Sequence, residues 1–436
     1  MIKNSENKKI FEGKVLLVLG SNASSDDIVN YAKENGAHTI VADYLPRERS
    51  FAKKLADEDV LISTGDQEKL GRLIEEKHVD GVLAGIHEFN LLNAMSLAER
   101  YHLPFYCTRQ QWNRMENKEE FRKLCYKCSV PAPKTYFSGT FIPKDIVLDK
   151  FPVVLKPVDA ANSVGVHICM NREELFRWEK DAIQNSESRR IIVEQFVYGD
   201  EFTAHYTVCN GVPKLSCIDN RYPVAVHEGN VTTIPAARIY PSLFYDEYIE
   251  QVNPSMLNLC RELGVNNAVL FVQGMYDRNE GFHIFEGGLR SAGEAPYRIL
   301  DQVNGVNYIH LLVENALLGT SVTFSEEKED PTMRNKCCGV VSFVSKGGVV
   351  GEISGLEEAV RNTSSVITYE SRYPVGVETP NGDTLRQLMI RFIMICESRE
   401  QMAEDIRYLN EHVVVNDNQG KPMTVRMKPE RVFDVK

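Results

Sequence analysis

From Lys14 to Trp112, short apolar runs alternate with polar stretches of helical period. VLLVLG (15–20) predicts a buried strand, followed by SNASS and a helix near Asp26 to Glu34. HTIVAD (38–43) and DVLIST (59–64) repeat the strand pattern. A helix is expected from Asp66 to Lys77, a strand at VDGVLAG (79–85), and a helix from Glu88 to Tyr101 that Pro104 stops. Continuous apolar runs separated by helices predict a parallel sheet with helices on both faces. Gly20-Ser21-Asn22-Ala23 lacks the GxGxxG glycines that let a backbone approach a pyrophosphate. The expectation is a Rossmann-like scaffold without a nicotinamide cofactor.

The pattern then changes to an α+β region, largely antiparallel. Asn117 is placed to cap a helix running to Cys128, with Lys118 and Glu119 in its first turn. Pro131 and Pro133 force an extended stretch into Lys134–Phe137. The run FPVVLKPVDAANSVGV (151–166) is an apolar strand holding one lysine, Lys156, followed by a loop of small residues. A helix at Arg172–Lys180 and the strand IIVEQF (191–196) follow; then the turn Val197-Tyr198-Gly199-Asp200 leads to a strand from Glu201 to Cys209. Helices return at Tyr245–Leu263, ended by Gly264, and at Tyr308–Leu318. Between them VLFVQ (269–273) and FHIFE (282–286) read as strands. Antiparallel pairing across Tyr276–Gly281 would set Gln273 beside Glu286. From Ser321 onward, strands at 338–345, 349–353 and 387–396, with helices at 356–361 and 398–412, predict an α/β packing domain closing one side of a cleft. The expected domains are 1–112, 113–320 and 321–436.

Composition narrows the class. At 436 residues the chain is too long for one core, and 43% apolar with 25% charged residues is ordinary for a soluble enzyme. A formal charge of −11 argues against a nucleic-acid partner, although a local pocket can still be positive. No run of about 18 apolar residues predicts a spanning helix, and MIKNSENKKIFEGK has no apolar segment of a signal peptide. Of ten cysteines, Cys125 and Cys128 form a CxxC with no second pair. Reduced, buried thiols in a cytoplasmic protein are expected.

The candidate chemistry lies between Phe151 and Glu294. An ammonium in an apolar strand is costly without an anion, so Lys156 pairs either with a carboxylate or, given the loop ending Ser163-Val164-Gly165, with a phosphate. Glu194 ends an apolar strand, and Gln195 to Val197 offer backbone groups suited to an adenine edge. The Glu201 carboxylate suits ribose hydroxyls. Glu286 leaves a buried strand with Arg290 as its neighbour. It either pairs with that arginine or, with Gln273, offers oxygen ligands for Mg²⁺. Arg290 is placed to neutralise a transferring phosphoryl group.

Together these motifs resemble the ATP-grasp superfamily, in the carboxylate–amine ligase and carbamoyl-phosphate-synthase-like branch. They are Asn117-Lys118 opening a helix, Lys156 with its loop, Glu194–Val197 with Gly199-Asp200-Glu201, and Glu286 with Arg290. The resemblance implies an ATP-dependent ligase that activates a carboxylate as an acyl-phosphate for attack by an amine, releasing ADP and phosphate. In its terms Lys118 and Lys156 contact ATP phosphates with Ser163 and Gly165 in the phosphate loop, Glu194–Val197 hold adenine and Glu201 the ribose. Gln273 and Glu286 bind Mg²⁺ (or Mn²⁺), and Arg290 acts with Lys156 at the reacting group. His227, Glu228, Arg238, Ser291 and Gly293 are candidate substrate contacts, and Asp159–Ser163 is expected to close over ATP. A homodimer is allowed; no membrane partner is expected. Two departures stand out: Gln273 replaces the usual carboxylate, and Gly288 replaces the usual metal-binding Asn. Carboxylase or carbamoyl-phosphate-type chemistry on bicarbonate, and an ATP-binding pseudoenzyme, are the alternatives.

Overall fold

The computed structural model describes residues 9–160, 163–226, 234–382 and 384–434. The first unit is a four-stranded parallel sheet, formed by β1 (Val15–Leu19), β2 (His38–Ala42), β3 (Glu58–Val60) and β4 (Gly81–Ala84) in the order β3-β2-β1-β4. Leu16 to Leu19 are fully buried, as expected for a strand covered on both faces. Its helices are α1 (Ser25–Glu34), α2 (Phe51–Leu55), α3 (Gln67–Lys77) and α4 (Glu88–Tyr101). The run 59–64 contributes only its first residues, because Leu61 already faces solvent.

A helix that the hydrophobic pattern did not mark, α5 (Arg109–Glu116), begins at Thr108. The Thr108 side chain accepts the Gln111 N–H while the Gln111 side chain accepts the Thr108 N–H, a reciprocal cap. The next helix, α6 (Lys118–Cys128), has the expected Asn117 cap, with Oδ1 taking the N–H groups of Glu119 and Glu120. An antiparallel sheet follows, built from β5 (Thr135–Gly139), β6 (Val153–Pro157), β7 (His167–Cys169) and β8 (Ile191–Gln195) in the order β5-β8-β6-β7, with α7 (Arg172–Gln184) against it.

The next strands are β9 (Asp200–Cys209), β10 (Val212–Ile218), β11 (Asn220–Val224) and β12 (Ile234–Tyr240). The expected helix at 245–263 is two helices, α8 (Tyr245–Gln251) and α9 (Asn253–Leu263), interrupted at Val252 with Pro254 in the first turn of the second. The hairpin β13 (Ala268–Asp277) and β14 (Gly281–Gly288) joins β9 and β10 in a second antiparallel sheet, ordered β10-β9-β13-β14. Its register sets Gln273 opposite Glu286.

Two helices, α10 (Tyr297–Asn304) and α11 (Tyr308–Leu318), return to the first unit. The second of them packs on β1, β4 and α1. Tyr31 Oη donates to Glu314 Oε1 over 2.7 Å, and a Cβ built on Gly81 would lie 2.3 Å from the Ala316 carbonyl oxygen, so only glycine fits there. The last sheet takes β15 (Cys337–Ser345), β17 (Val366–Ser371) and β19 (Leu388–Cys396), and β11 and β12 complete it in the order β11-β12-β15-β19-β17. Between these come β16 (Gly348–Ser354), α12 (Leu356–Asn362) and β18 (Glu378–Thr379), with α13 (Arg399–His412) after β19. This sheet therefore draws strands from both sides of residue 320. All ten cysteines are buried and unpaired. Among the described residues no helix is long and apolar enough to cross a membrane.

Candidate active site

The strand lysine is held by a buried ion cluster. Lys156 Nζ lies 2.7 Å from Glu194 Oε2, and Arg122 Nε lies 2.6 Å from Glu194 Oε1. Glu194 is 1% exposed. Burial opposes its charge, but Lys156 and Arg122 together hold it below the usual carboxylate range. Lys156 titrates below an ordinary lysine because burial outweighs its single glutamate, with Arg122 and Lys118 adding repulsion. Two cations on one carboxylate leave excess positive charge at the end of β6. Arg122 also donates to the carbonyls of Ile284 (2.8 Å) and Phe285 (3.2 Å), tying α6 to β14. Of this cluster, sequence reading found Lys156 and Glu194 and missed Arg122, which hides on the buried face of an amphipathic helix. The structure thus gives the Glu194 carboxylate two cations as partners, leaving the backbone beyond it for other contacts.

Beside this cluster, Lys118 Nζ donates to the Ala160 carbonyl at 2.7 Å and stands 3.7 Å from Glu286 Oε1. The small-residue loop is thereby anchored to α6. Asp159, at its start, accepts from the Ser186 hydroxyl (2.7 Å) and from the N–H of Ser188 (2.8 Å). Ser163 and Gly165 both adopt positive φ, 59° and 70°. At Gly165 a Cβ would press on Asn185 and Pro157, both 2.9 Å away. Ala161 and Asn162 lie outside the described residues.

Further along, Gln195 N–H donates to the Lys134 carbonyl (2.9 Å), Phe196 and Tyr198 meet edge to face, and Val197 is buried. Glu201 is ion-paired to Arg221 on β11.

A divalent ion fits the chemistry at the end of the hairpin, within limits. The Gln273 amide and Glu286 carboxylate project from paired positions on adjacent strands, an oxygen set suited to a hydrated ion that completes its shell with phosphate oxygens. Position 288 can add nothing. A Cβ there would lie 2.5 Å from two ring carbons of Phe271 and 3.3 Å from Glu116 Oε1. An Asn there would have to displace the Phe271 ring, and the donors present suit one ion.

Arg290 leaves the end of β14 with its guanidinium 5.1 Å from the Phe271 ring centre and its Nη2 3.0 Å from Glu88 Oε1. Its Nε is buried with no partner among the described residues. Behind it, Glu116 accepts the Leu289 N–H at 3.0 Å. Burial pushes Glu116 up to about 7 even though Arg290 pulls it down.

Arg290 and Gln273 line a cleft of about 560 Å³ walled by the first unit (Asn22, Ile86 to Phe89), by Ala292 to Glu294, and by β12, β15 and β19. Lys118, Lys156 and Glu286 are outside its lining. Arg238, a predicted substrate residue, enters this cleft while holding Thr203 Oγ1 (2.6 Å) and Asp219 Oδ2 (2.8 Å), with Glu294 at 3.4 Å. Burial opposes the Glu294 charge, but Arg238 and His205 hold the carboxyl far below the ordinary range. Gly293 lines the cleft; Ser291 is buried with its hydroxyl 3.2 Å from Tyr308 Oη. His227 and Glu228 lie outside the described residues.

Residues 149–294 match a family model described as ATP-grasp domain. Over 249 residues the chain is 28% identical to the carbamoyl phosphate synthase large chain of Clostridium acetobutylicum, covering 53% of this chain and 22% of that one. The chain therefore spans about a fifth of that relative's length. Among solved structures, an L-amino acid ligase from Bacillus licheniformis superposes with a TM-score of 0.75 at 18% identity, over 93% of this chain and 99% of that one. The biotin carboxylase domain of a Hydrogenobacter thermophilus 2-oxoglutarate carboxylase, solved with MgADP, ADP and bicarbonate, gives 0.73 at 16% identity over 97% and 98%. The mixed α/β multidomain architecture is thus shared along nearly the whole chain.

Proposed function

We propose, from the premise that residues 149–294 form an ATP-grasp domain, that the protein is an ATP-dependent carboxylate–amine ligase. The observation that carries this reading is the excess positive charge at Lys156 and Lys118, set against the Gln273–Glu286 oxygen pair. In this reading Lys118, Lys156 and the loop at Ser163 and Gly165 hold the triphosphate. Backbone groups of Gln195 to Val197 hold the adenine, and Glu201 reaches the ribose. Gln273 and Glu286 would hold Mg²⁺, with Mn²⁺ as a substitute, and the ion would screen phosphate charge. Arg290, its Nε without a partner among the described residues, orients the substrate carboxylate and neutralises charge as it becomes an acyl-phosphate. An amine in the cleft beyond Arg290 then displaces phosphate and forms the amide. Arg238, Ser291 and Gly293 are the substrate-side residues on this reading. The working partition stays at 1–112, 113–320 and 321–436, in a cytoplasmic protein acting on small molecules, with a homodimer as its proposed assembly.

The test is phosphate release from ATP–Mg²⁺ across mixtures of carboxylates and amines, beside isothermal titration with ATP–Mg²⁺. Release that needs both an acid and an amine, and is lost in Lys156→Ala, is the expected result. Release with bicarbonate alone would move the chemistry to carboxylation. Tight nucleotide binding with no release under any mixture would make the protein an ATP-binding pseudoenzyme.

A further inference from the structure

The strand β19 reads LMIRFIMIC, and Arg391 is its one charged residue. Every other side chain in the strand is apolar or a thiol. Its register sets it between Ser342 on β15 and Glu370 on β17, and it lines the 560 Å³ cleft together with Ser342 and Arg372. The guanidinium reaches the carbonyls of Gly293 (3.4 Å) and Glu294 (3.2 Å), the segment that follows Arg290.

Elsewhere along the cleft wall carboxylates equal or outnumber the arginines: Arg238 faces both Asp219 and Glu294, and Arg290 faces Glu88. At the β19 end the match fails. Arg372 and Arg391 share Glu370, 3.2 Å from the first and 4.0 Å from the second. The Glu370 side chain is 54% exposed, whereas that of Arg391 is 11% exposed. Arg391 donates to two backbone carbonyls and feels Glu294 at longer range, but Arg372 and Arg391 have only the solvated Glu370 carboxylate within ion-pair distance among the described residues, so this end of the cleft is suited to a further anion. A planar guanidinium matches a carboxylate bidentately. The cleft volume suits a small metabolite.

We infer that Arg372 and Arg391 form a subsite for a substrate carboxylate that is not the one phosphorylated. Its bearer is either a dicarboxylic acid, activated at one end and held at the other, or an amino acid acting as the amine. This deepens the ligase reading and rests on it for the identity of the reacting end, but the subsite is read by binding alone.

The experiment is calorimetric titration of the full-length protein, with ATP–Mg²⁺ present, using succinate, glutarate, glycine and L-alanine. Succinamide and glycinamide serve as partners with every carboxylate neutralised. Arg391→Met and Arg372→Gln are compared with wild type, and Arg391→Lys serves as the conservative rescue. The expected result is that at least one carboxylate probe binds wild type and its affinity falls at least tenfold in both neutral variants. Arg391→Lys should restore part of that loss, and the neutralised probe should bind equally weakly to all four proteins. A preference for dicarboxylates names the acid as bearer, and a preference for amino acids names the amine. The inference is overturned if no probe binds wild type, or if binding in both neutral variants stays within twofold. It is also overturned if succinamide or glycinamide loses as much affinity on mutation as its parent. Phosphate release, measured separately, decides the ligase reading. Probe binding that depends on Arg391 without release would leave the subsite standing and remove the reaction.

Discussion

Replacing Glu194 by Gln removes the one carboxylate that, among the described residues, is paired with both Lys156 and Arg122, while keeping the side chain's shape. Both cations are nearly inaccessible, with side chains 8% and 3% exposed. Taking away one partner of a buried pair costs roughly 3–5 kcal/mol, because the remaining charge is left without compensation. At about 2–4 °C per kcal/mol for a domain of 150–250 residues, the melting transition of the central region should fall by roughly 6–20 °C. The measurement belongs at pH 7.5. Glu194 is held below the ordinary carboxylate range, so its contribution is fully present above the unfolded value of about 4.5 and fades as pH drops through the folded one. A second arm tests what Lys156 is for. If a triphosphate sits there, saturating ATP–Mg²⁺ supplies the missing anion and should raise the variant's melting temperature more than that of wild type. A variant melting within about 2 °C of wild type would refute the electrostatic argument. Equal stabilisation of both proteins by ATP would refute the placement of phosphate at Lys156.

Other outcomes follow from the same geometry. Gly288→Asn should cost about 1–3 kcal/mol in urea denaturation through overpacking against Phe271, and that increment should largely vanish when the substitution is made in a Phe271→Ala background; a fully stable single variant would show that the ring moves aside. Glu286→Gln should raise the half-saturating Mg²⁺ concentration about tenfold or more, and an unchanged metal titration would remove Glu286 from the ligand set. Burial pushes Glu329 up to about 7, with Ser216 and Thr207 pulling the other way. The folded state thus holds its proton more tightly than the unfolded chain, and stability should fall by about 3 kcal/mol as pH rises from 4.5 to 7. Glu329→Gln should flatten that part of the melting-temperature profile, and an identical slope in the variant would assign it to other groups.

Local signals were the most legible in the sequence. The Asn117 and Gly264 caps and the apolar runs of the parallel sheet depend on neighbours a few residues away, and the structure has them where the sequence placed them. The pairing of Gln273 with Glu286 was also readable, since a short turn between two apolar strands fixes their register. What the sequence hid involves partners far along the chain. Arg122 meets Glu194 across 72 positions. Glu201 meets Arg221 only because β11 folds back beside it. The strands β11 and β12 join a sheet whose other members start about a hundred residues later, which no local pattern signals. Arg391 was visible as a charge in an apolar run, but nothing nearby said which surface it would face. The helix α5 was different: Thr108 and Gln111 stood at cap spacing, and the short polar helix between them had too little apolar period to stand out.

The close approach of Gly81 to Ala316 bears on how the molecule can be assembled or cut. The first hundred residues cannot be excised as a free-standing piece, because one flank of their sheet is roofed by a helix encoded more than two hundred positions downstream. A ribosome releasing this chain would expose that flank until the helix emerged, and a fragment ending at 112 should be insoluble unless residues 297–318 are supplied in trans.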